Sequence, residues 1–322
     1  MHQVEAINRW NPFRVWRALK TSDAFVSGGG GLLQDRTSRR SLIYYLALSH
    51  LAHFFKKPVF LVGQGIGPLS HRLSRILVTR CLNAEYIMVR DEASLELLRE
   101  LKVKAPVALG EDLALAYPLE TCKRQHGTCA RFLGVSLRGD FPAQLVKALA
   151  SCLDEICRRL KLKALFIPAF PQQDLSLAEA LAEAMRGDAI VIDTKKCSIA
   201  EMIDCIASCT LLIGSRLHAL EFALMNGVPL VAINTDPKIE AFVRRLEFCS
   251  GLRVPLVQFT SLQVHKLTGL MEDVEELWAK RGQYQQAFQR CAHILRASAE
   301  RGLRELCQKM APFLNYSQRG DL

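Results

Sequence analysis

The stretch DAFVSGGGGLLQDRTSRRSLIYYLALSHLAHFFKKPVFLVGQ, residues 23–64, decides the fold of the first half of the chain. It begins with an apolar run over residues 23–28 and ends with another over 58–64, and both are typical of buried strands. Between them, SLIYYLALSHLAHFF has the spacing of apolar residues that predicts a helix. A strand, a helix and a strand in this order indicate two parallel strands joined by a crossover helix.

The same alternation continues along most of the chain. Short apolar runs predict strands over residues 23–28, 58–64, 85–90, 106–109, 132–138, 164–169, 189–193, 210–214 and 229–233. Helical segments separate them, and the tail from residue 270 to 311 is helical in its spacing. This pattern predicts the α/β class, with parallel sheets covered by helices on both faces. The polar break ETCKRQHGTCAR divides the runs, so we expect two doubly wound Rossmann-like lobes, residues 1–125 and 126–322.

Composition narrows the functional classes. The chain has 322 residues, with 42 basic and 32 acidic side chains and a net charge of +10. Residues 1–125 carry 18 of the basic and 11 of the acidic side chains, which favours an anionic partner such as phosphate, lipid headgroups or nucleic acid. The alternative is a surface whose charges only keep it solvated. Eleven scattered cysteines without a CxxC pair favour a reducing cytoplasm over disulfide or zinc chemistry.

Polar residues and glycines follow the predicted strand ends, where ligands of parallel sheets bind. In the first half they are Gly28, Gly29, Gly30, Gly31, Gln34, Asp35, Gln64, Arg90 and Asp112. In the second half they are Arg138, Ser215, Arg216, His218 and Lys238. In a two-lobed arrangement, we expect both sets to face a shared cleft. Consecutive glycines would also let another molecule approach the main chain closely.

The segment IGSRLHALEF, residues 213–222, carries the sharpest signal. A strand runs into Ser215, and a helix begins with Arg216 and His218 in its first turn, where free N–H groups and the macrodipole attract anions. Arg216 suits phosphate or carboxylate, and His218 could exchange a proton near neutral pH. Lys238 opens the helix after the next strand and could reach the same anion. The alternative is that Arg216 pairs with a nearby carboxylate and His218 is a satisfied, half-buried side chain.

The segment RWNPFRVWRALK, residues 9–20, interleaves Trp10, Phe13 and Trp16 with basic residues. This mixture is typical of a helix that lies in a membrane interface. The alternative is a helix that docks its aromatic side on the sheet and keeps its arginines outside. The hypothesis is reversible membrane contact, which predicts that the protein binds anionic liposomes at low salt.

Several common catalytic motifs are absent from the sequence. Neither GxGxxG nor GxxxxGK[ST] occurs, so dinucleotide-binding and P-loop classes lack support. Ser215 lies on a strand-to-helix turn, but the GxSxG motif of serine hydrolases is missing. We expect no metal site, no cofactor and no nucleic-acid partner.

Several segments together resemble the polysaccharide pyruvyl transferase family, and most closely its bacterial cell-wall branch. They are GGGGLLQDRTS with SLIYYL, KPVFLVGQGIGPL, VRDEAS and IGSRLHALEFALMNGVPLVAINTDPK, and the likeness extends from about residue 10 to 250. The resemblance implies a GT-B-like fold and an enzyme that transfers pyruvate from its substrate phosphoenolpyruvate to two sugar hydroxyls, forming a cyclic ketal. It further implies an N-acetylmannosamine-containing acceptor on undecaprenyl diphosphate. The expected location is the cytoplasm, with peripheral contact at the inner face of the plasma membrane.

The resemblance also implies roles for individual residues. In the family pattern, the arginine and histidine that match Arg216 and His218 hold phosphoenolpyruvate, and a further arginine, matching Arg138, assists. The implied donor-binding set is Arg138, Ser215, Arg216, His218 and Lys238, with Arg216 and His218 catalytic. The implied acceptor-binding set is Gly28, Gly29, Gly30, Gly31, Gln34, Asp35, Gln64, Arg90 and Asp112.

The chain departs from the family at its start. Members usually begin with a strand, a glycine-rich loop that carries an Asn and an Asp-Glu pair, and a helix. This chain starts at MHQVEAINRW, so we expect either that the true start lies upstream or that the first lobe lacks that segment, with Asp35 or Asp112 as a substitute carboxylate. Two alternatives stay open: a GT-B glycosyltransferase that uses a nucleotide-sugar, and an inactive homologue that acts as a binding protein.

Overall fold

The computed structural model describes residues 4–36, 38–119, 131–139, 141–258 and 267–314. The chain divides into two compact units, the first formed by Met1–Ala116 with Ala297–Leu322 and the second by Tyr117–Arg296. The predicted lobe boundary after residue 125 lies outside the described residues. The end of the chain belongs to the first unit, whereas the sequence predicted that the whole tail stays with the second.

Strands and helices alternate as predicted. The strands are β1 (Phe25–Ser27), β2 (Gly30–Leu33), β3 (Val59–Ile66), β4 (Tyr86–Val89), β5 (Val107–Leu109), β6 (Phe132–Ser136), β7 (Lys163–Phe166), β8 (Ala189–Val191), β9 (Cys209–Gly214), β10 (Leu230–Asn234) and β11 (Leu256–Gln258). The helices are α1 (Pro12–Thr21), α2 (Arg39–Phe54), α3 (Arg72–Cys81), α4 (Glu92–Glu100), α5 (Ala143–Leu160), α6 (Pro171–Ala184), α7 (Ile199–Ala207), α8 (Leu217–Met225), α9 (Pro237–Ser250), α10 (Leu267–Ala279) and α11 (Arg281–Met310). Each predicted strand has a counterpart, and β2 and β11 were not predicted.

The first unit holds a parallel sheet in the order β1-β3-β4-β5, with β2 also paired to β3. β1 pairs Phe25 with Val59, and β2 pairs Gly30 with Gln64 farther along the same strand. The glycine run therefore contains a bend followed by a second short strand. Gly30 and Gly63 have φ angles of +113° and +60°, which glycine adopts without strain.

Helices cover both faces of this first sheet. Val59 and Leu61 of β3 pack in a core shared with α1 to α4, whereas Phe60 and Val62 pack on the other face with Leu306 of α11. From β1 to β5 the strand order advances in one direction, so right-handed crossovers place α2, α3 and α4 on one face. The returning tail covers the opposite face, which explains why it belongs to this unit.

Within the described residues, the second unit holds a parallel sheet of six strands in the order β11-β10-β9-β6-β7-β8. Chain order runs outward from β6 to β8 and, in the other direction, from β9 to β11, so the winding reverses between β6 and β9. Helix α5 contacts α6, whereas α8 contacts α7 and α9. Right-handed connections place these two groups on opposite faces. Ligands of such doubly wound sheets bind beyond the carboxyl ends of the strands at the reversal point.

Helix α8 leads away from this reversal point and is almost completely buried. It contacts both β9 and β10, and its residues are apolar except for His218 and Glu221. Among the described helices, none has both the length and the apolar character needed to cross a membrane.

Candidate active site

The carboxyl ends of β6, β9 and β10 lie side by side in the second sheet. Ser136 at the end of β6 pairs with Gly214 at the end of β9, and Gly214 pairs with Ala232 of β10. Residues that follow these strand ends are therefore brought to one edge of the sheet. They include the predicted donor-binding residues Arg138, Ser215, Arg216, His218 and Lys238.

Ser215 joins the ends of β6 and β9. It is buried, and its Oγ accepts a hydrogen bond from the backbone N–H of Arg138 at 2.7 Å. Its own N–H donates to the carbonyl of Ser136 at 2.9 Å. Ser215 therefore fixes the backbone from which Arg138 extends. The side chain of Arg138 forms no ion pair among the described residues, and the residue is half-buried.

Arg216 directly precedes α8, and two side chains of α6 hold its guanidinium. Nε donates to Asp174 Oδ2 at 2.9 Å, and Nη2 donates to Asp174 and, at 3.0 Å, to Gln173 Oε1. The side chain of Asp174 is 1% exposed and that of Arg216 is 17% exposed. The alternative interpretation, a carboxylate partner for Arg216, is therefore confirmed.

This pairing leaves one side of the guanidinium unused within the described part of the chain. A guanidinium has five N–H donors in one plane, and Asp174 and Gln173 engage the Nε and Nη2 side. Nη1 makes no hydrogen bond to a described residue. The ring of Phe170, with its centroid 5.7 Å from Cζ of Arg216, lies beside the same group. Asp174 thus orients Arg216 and offsets part of its charge, while Nη1 remains able to donate to an anion.

His218 is the one exposed residue of α8. One turn later, the buried Glu221 places a carboxylate oxygen within 4.8 Å of a ring nitrogen of His218. The His218 ring and the Glu221 carboxylate are therefore neighbours on one side of α8. The exposure of His218 corrects the alternative in which it was half-buried.

Lys238 lies in the first turn of α9, beyond the end of β10. Its backbone N–H donates to Oδ1 of the N-cap residue Asp236 at 3.2 Å. The Asp236 carboxylate therefore occupies one of the free N–H groups that would otherwise attract an anion. The side chain of Lys238, more than the helix terminus, is the cationic feature at this strand end.

In the first unit, the predicted acceptor residues separate into accessible glycines and buried side chains. Gly28, Gly29 and Gly31 are exposed, and Gly30 is half-buried. Gln64 is completely buried, and its Nε2 donates to the carbonyls of Ser27 at 3.2 Å and Gly28 at 3.1 Å. Gln64 therefore holds the backbone of the glycine run in place, and its contact with a sugar hydroxyl stays a prediction.

Asp35 makes structural hydrogen bonds, and its predicted contact with the acceptor stays a prediction. It is buried, and its carboxylate accepts the N–H groups of Ser70 and His71, both at 2.9 Å. Burial alone would raise the pKa of Asp35, but the two backbone hydrogen bonds outweigh it and hold this pKa below its ordinary value. Asp35 thereby ties the end of β2 to the start of α3. Gln34, immediately before it, is half-buried and stays a candidate.

Arg90 and Asp112 bind each other. Nη1 of Arg90 lies 2.6 Å from Oδ2 of Asp112, and the two side chains are 8% and 9% exposed. Asp112 also accepts the N–H of Ala114 at 3.0 Å, and Arg90 packs closely over Gly65. The pair joins the ends of β4 and β5, and direct binding of the acceptor by these side chains stays a prediction.

Sequence reasoning did not identify Asp174 or Glu221. Asp174 lies in the first turn of the helix that follows β7, a position comparable to those of the residues that were selected. Glu221 is the one acidic residue in the apolar segment LHALEFALM, and a buried carboxylate requires compensation. Both carboxylates can be found in the sequence. Which side chains they contact depends on the order of strands in the sheet.

Comparisons with known proteins bear on the family and the fold. The family model described as Polysaccharide pyruvyl transferase matches residues 2–237. No curated protein matches the chain.

Solved structures share the fold at low sequence identity. The S. aureus MnaA–UDP co-structure has a TM-score of 0.64 at 11% identity, over 99% of this chain and 86% of that chain. UDP-GlcNAc 2-epimerase from Neisseria meningitidis, bound to UDP-GlcNAc, has a TM-score of 0.56 at 11% identity, over 92% and 81%. Anabaena Alr3699/HepE in complex with UDP and glucose has a TM-score of 0.56 at 13% identity, over 93% and 81%. These similarities confirm the predicted GT-B type of fold with Rossmann-like units and, at such identities, establish nothing about ligands.

Proposed function

This chain belongs to the polysaccharide pyruvyl transferase family, and we propose that it transfers pyruvate from phosphoenolpyruvate to two hydroxyls of a glycan, forming a cyclic ketal and releasing phosphate. The observation that carries the proposal is the grouping of cationic and proton-transferring side chains at the reversal point of the second sheet. Its members are Arg138, Arg216, His218 and Lys238.

Phosphoenolpyruvate carries a phosphate and a carboxylate close together, so its binding site needs more than one cation. The Nη1 side of Arg216 is held in a fixed orientation by Asp174, and charge-assisted hydrogen bonds of this kind suit either anionic group. Arg138 follows the adjacent strand on one side, and Lys238 follows the adjacent strand on the other. In the proposal these three side chains bind the donor, and Ser215 keeps Arg138 in place.

The proposed chemistry begins at the donor double bond. His218 donates a proton to the methylene carbon, which becomes a methyl group, and the neighbouring carbon acquires oxocarbenium character. The first sugar hydroxyl adds to that carbon and loses its proton. The second hydroxyl then displaces phosphate, which leaves with the bonding pair of the broken carbon–oxygen bond and takes up the proton of that hydroxyl as the ketal closes. A positioned acid of this kind accelerates such a reaction by roughly 100- to 10,000-fold.

Glu221 has a supporting part in this proposal. Its buried carboxylate lies within 4.8 Å of the His218 ring and favours the protonated imidazole needed for the first step. Once the proton has moved to the donor, the neutral imidazole can accept a proton from a sugar hydroxyl. His218 therefore acts first as acid and then as base.

The proposed acceptor is a cell-wall or exopolysaccharide precursor linked to undecaprenyl diphosphate. The accessible main chain of Gly28, Gly29 and Gly31, with Gln34 beside it, is proposed to contact the sugar. Gly30 supplies the positive φ that shapes this segment. Gln64, Asp35, Arg90 and Asp112 keep the surrounding backbone in place, and direct contact of these four side chains with the acceptor stays a prediction.

The deciding experiment combines the chain with phosphoenolpyruvate and a lipid-linked disaccharide that contains N-acetylmannosamine. Ketal product detected by mass spectrometry, with release of one phosphate for each ketal, is the expected result.

Thermal shift with phosphoenolpyruvate and with UDP tests the donor class separately, because a ligand at a hundred times its Kd stabilises the folded protein by about 2.7 kcal/mol. Stabilisation by UDP alone would favour a nucleotide-sugar enzyme, and stabilisation by neither would favour a binding protein.

A further inference from the structure

Helices α1, α2 and α3 form an outer layer on one face of the first sheet. α2 packs against both α1 and α3, and all three bury apolar residues in the same core. The layer contains Arg14, Arg17, Lys20, Arg39, Arg40, Arg72, Arg75 and Arg80, and it has no acidic residue. By contrast α4, which packs in the same core, contains Glu92, Glu96 and Glu100. The outer layer is therefore uniformly basic, unlike the neighbouring α4.

Helix α1 buries only Leu19 completely and exposes its aromatic residues. Phe13 is 84% exposed, Trp16 is 46% exposed, and Trp10 in the preceding turn is 70% exposed. On a helix of 3.6 residues per turn, the exposed side of α1 presents aromatic and basic residues in the order Trp16, Lys20, Phe13, Arg17, Arg14, and Trp10 lies in the turn before it. The alternative in which α1 docks its aromatic side on the sheet is therefore corrected.

The neighbouring helices continue the same surface. On α2, Ile43, His50 and Phe54 are exposed and lie along one helical stripe. On α3, Leu73 and Ile76 are exposed beside Arg72 and Arg80. Each helix of the layer thus presents large apolar side chains to solvent together with basic ones.

Contacts within the layer hold α1 in place. The ring of Trp10 lies 5.8 Å from that of Tyr44, and the ring of Trp16 lies 5.5 Å from that of Phe55. Tyr44 Oη donates to the carbonyl of Arg9 at 2.9 Å. The aromatic residues of α1 are therefore displayed by a fixed helix, which lowers the conformational entropy lost on binding.

We propose that this outer layer docks the chain on the surface of an anionic lipid bilayer, with α1 lying in the interface. Basic side chains complement the lipid headgroups, and aromatic residues at the headgroup level are typical of interfacial helices. Exposed aliphatic residues such as Ile43 and Leu73 would be removed from water in the acyl region of a bilayer. Nucleic acids offer aliphatic side chains no comparable apolar environment. The proposal is independent of the catalytic one, since none of these residues belongs to the second sheet.

Tryptophan fluorescence tests the proposal with little ambiguity, because the chain has three tryptophans and two of them lie in this layer. In a Trp278→Phe background, vesicles of equal parts phosphatidylcholine and phosphatidylglycerol should shift the emission of Trp10 and Trp16 to shorter wavelength. Brominated acyl chains should quench it. Phosphatidylcholine alone should give a much smaller effect, and about 0.5 M salt should release the protein.

Matched variants measured by vesicle flotation identify the surface. Changing Arg14, Arg17 and Lys20 together to glutamine should weaken binding on the order of 100-fold, at about fivefold for each charge. Changing the exposed second-unit residues Lys147, Lys195 and Arg290 to glutamine removes the same charge and should leave binding unchanged. Phe13→Ser should weaken binding without affecting thermal unfolding.

Three results would overturn the proposal. One is failure to bind anionic vesicles at low salt while the protein is folded. Another is an equal loss of binding in the control triple variant. The last is a tryptophan signal that responds to RNA or to self-association and not to vesicles.

Discussion

At the carboxyl edge of the first sheet, Arg90 and Asp112 are bound to each other at 2.6 Å and both are almost completely buried. At the carboxyl edge of the second sheet, Arg216 is also bound to a buried carboxylate, but its Nη1 side makes no hydrogen bond within the described ranges. His218 nearby is exposed. Both edges carry charged side chains after parallel strands, so the strand-end position alone does not distinguish a structural residue from a ligand-binding one.

The difference lies in how much of each side chain its partners occupy. Arg90 is enclosed by Asp112 and the backbone at Gly65, so its charge stabilises the ends of β4 and β5. Arg216 is supported from one side by α6, an arrangement that orients a cation for an external anion. Pairing with a carboxylate is therefore compatible with both roles, and mutations that separate stability from activity should distinguish them.

The largest effect on activity should come from His218→Ala. Loss of the proposed acid should lower the rate of ketal formation by roughly 100- to 10,000-fold. Because His218 lies beside the buried Glu221 carboxylate, the variant should also lose some stability, so its activity is compared under conditions where it is fully folded. Steady-state kinetics and urea denaturation measure the two quantities. His50→Ala, an exposed histidine of α2, is the control, and near-normal turnover by His218→Ala would remove the proposed role.

The opposite result is expected at the first edge. Asp112→Ala leaves the charge of Arg90 buried without its partner and should lower the free energy of unfolding by about 3 kcal/mol. Glu100→Ala removes an exposed partner of Arg75 and should cost less than about 1 kcal/mol. Urea denaturation compares the two variants. Equal destabilisation would show that the Arg90–Asp112 pair is not the structural element inferred here.

A smaller, selective effect is expected from Asp174→Asn. The asparagine can still accept the N–H of Phe170, but it no longer holds Arg216 by an ion pair. Removing the negative charge of Asp174 should favour anion binding slightly. Misorientation of the Arg216 guanidinium should weaken donor binding more, so KM for phosphoenolpyruvate should rise about tenfold. The value of kcat should fall less.

Gln173→Ala is the control for this position, because it removes a neutral hydrogen bond to the same guanidinium and should raise KM less. Initial rates at varied phosphoenolpyruvate give both constants. An unchanged KM in Asp174→Asn would show that Arg216 does not bind the donor in the inferred orientation.

The smallest effect concerns Asp35 and appears as a dependence on pH. Its pKa in the folded chain is lower than the ordinary 3.8, so ionised Asp35 stabilises the fold above about pH 4. This contribution should decrease as the pH falls through the folded pKa. Asp35→Asn should cost about 1 kcal/mol at pH 7, and its difference from the unmodified chain should shrink in acid. A difference that is constant from pH 7 down to pH 2 would contradict this assignment.

Much of the fold could be predicted because apolar periodicity is local. The runs that became β3, β4 and β9 are continuous in sequence, and burial on both faces of a sheet requires such runs. β2 was missed because two of its four residues are glycines, which are uncommon in strands and interrupt the apolar pattern. The adjacency of β6, β9 and β10 could not be derived from periodicity, although it explains why Arg138, Arg216 and Lys238 follow neighbouring strands.

The site was only partly predictable for a related reason. Asp174 is 42 positions from Arg216 in the chain, and Asp112 is 22 positions from Arg90. Local patterns cannot show which distant carboxylate reaches which cation. Asp35, Arg90 and Asp112, which were predicted to bind the acceptor, are each held by partners from other segments of the chain.

By itself, the amino-acid sequence determined the alternation of strands and helices, the positions of strand ends and the basic, aromatic character of α1, since each depends on residues close together in the chain. Tertiary structure alone decided which strand ends are neighbours, which charges are enclosed by partners and which face of the first sheet the tail covers. The physical reason is that burial and ion pairing depend on distances between segments far apart in sequence, and those distances exist only once the strands have taken their order in the sheets.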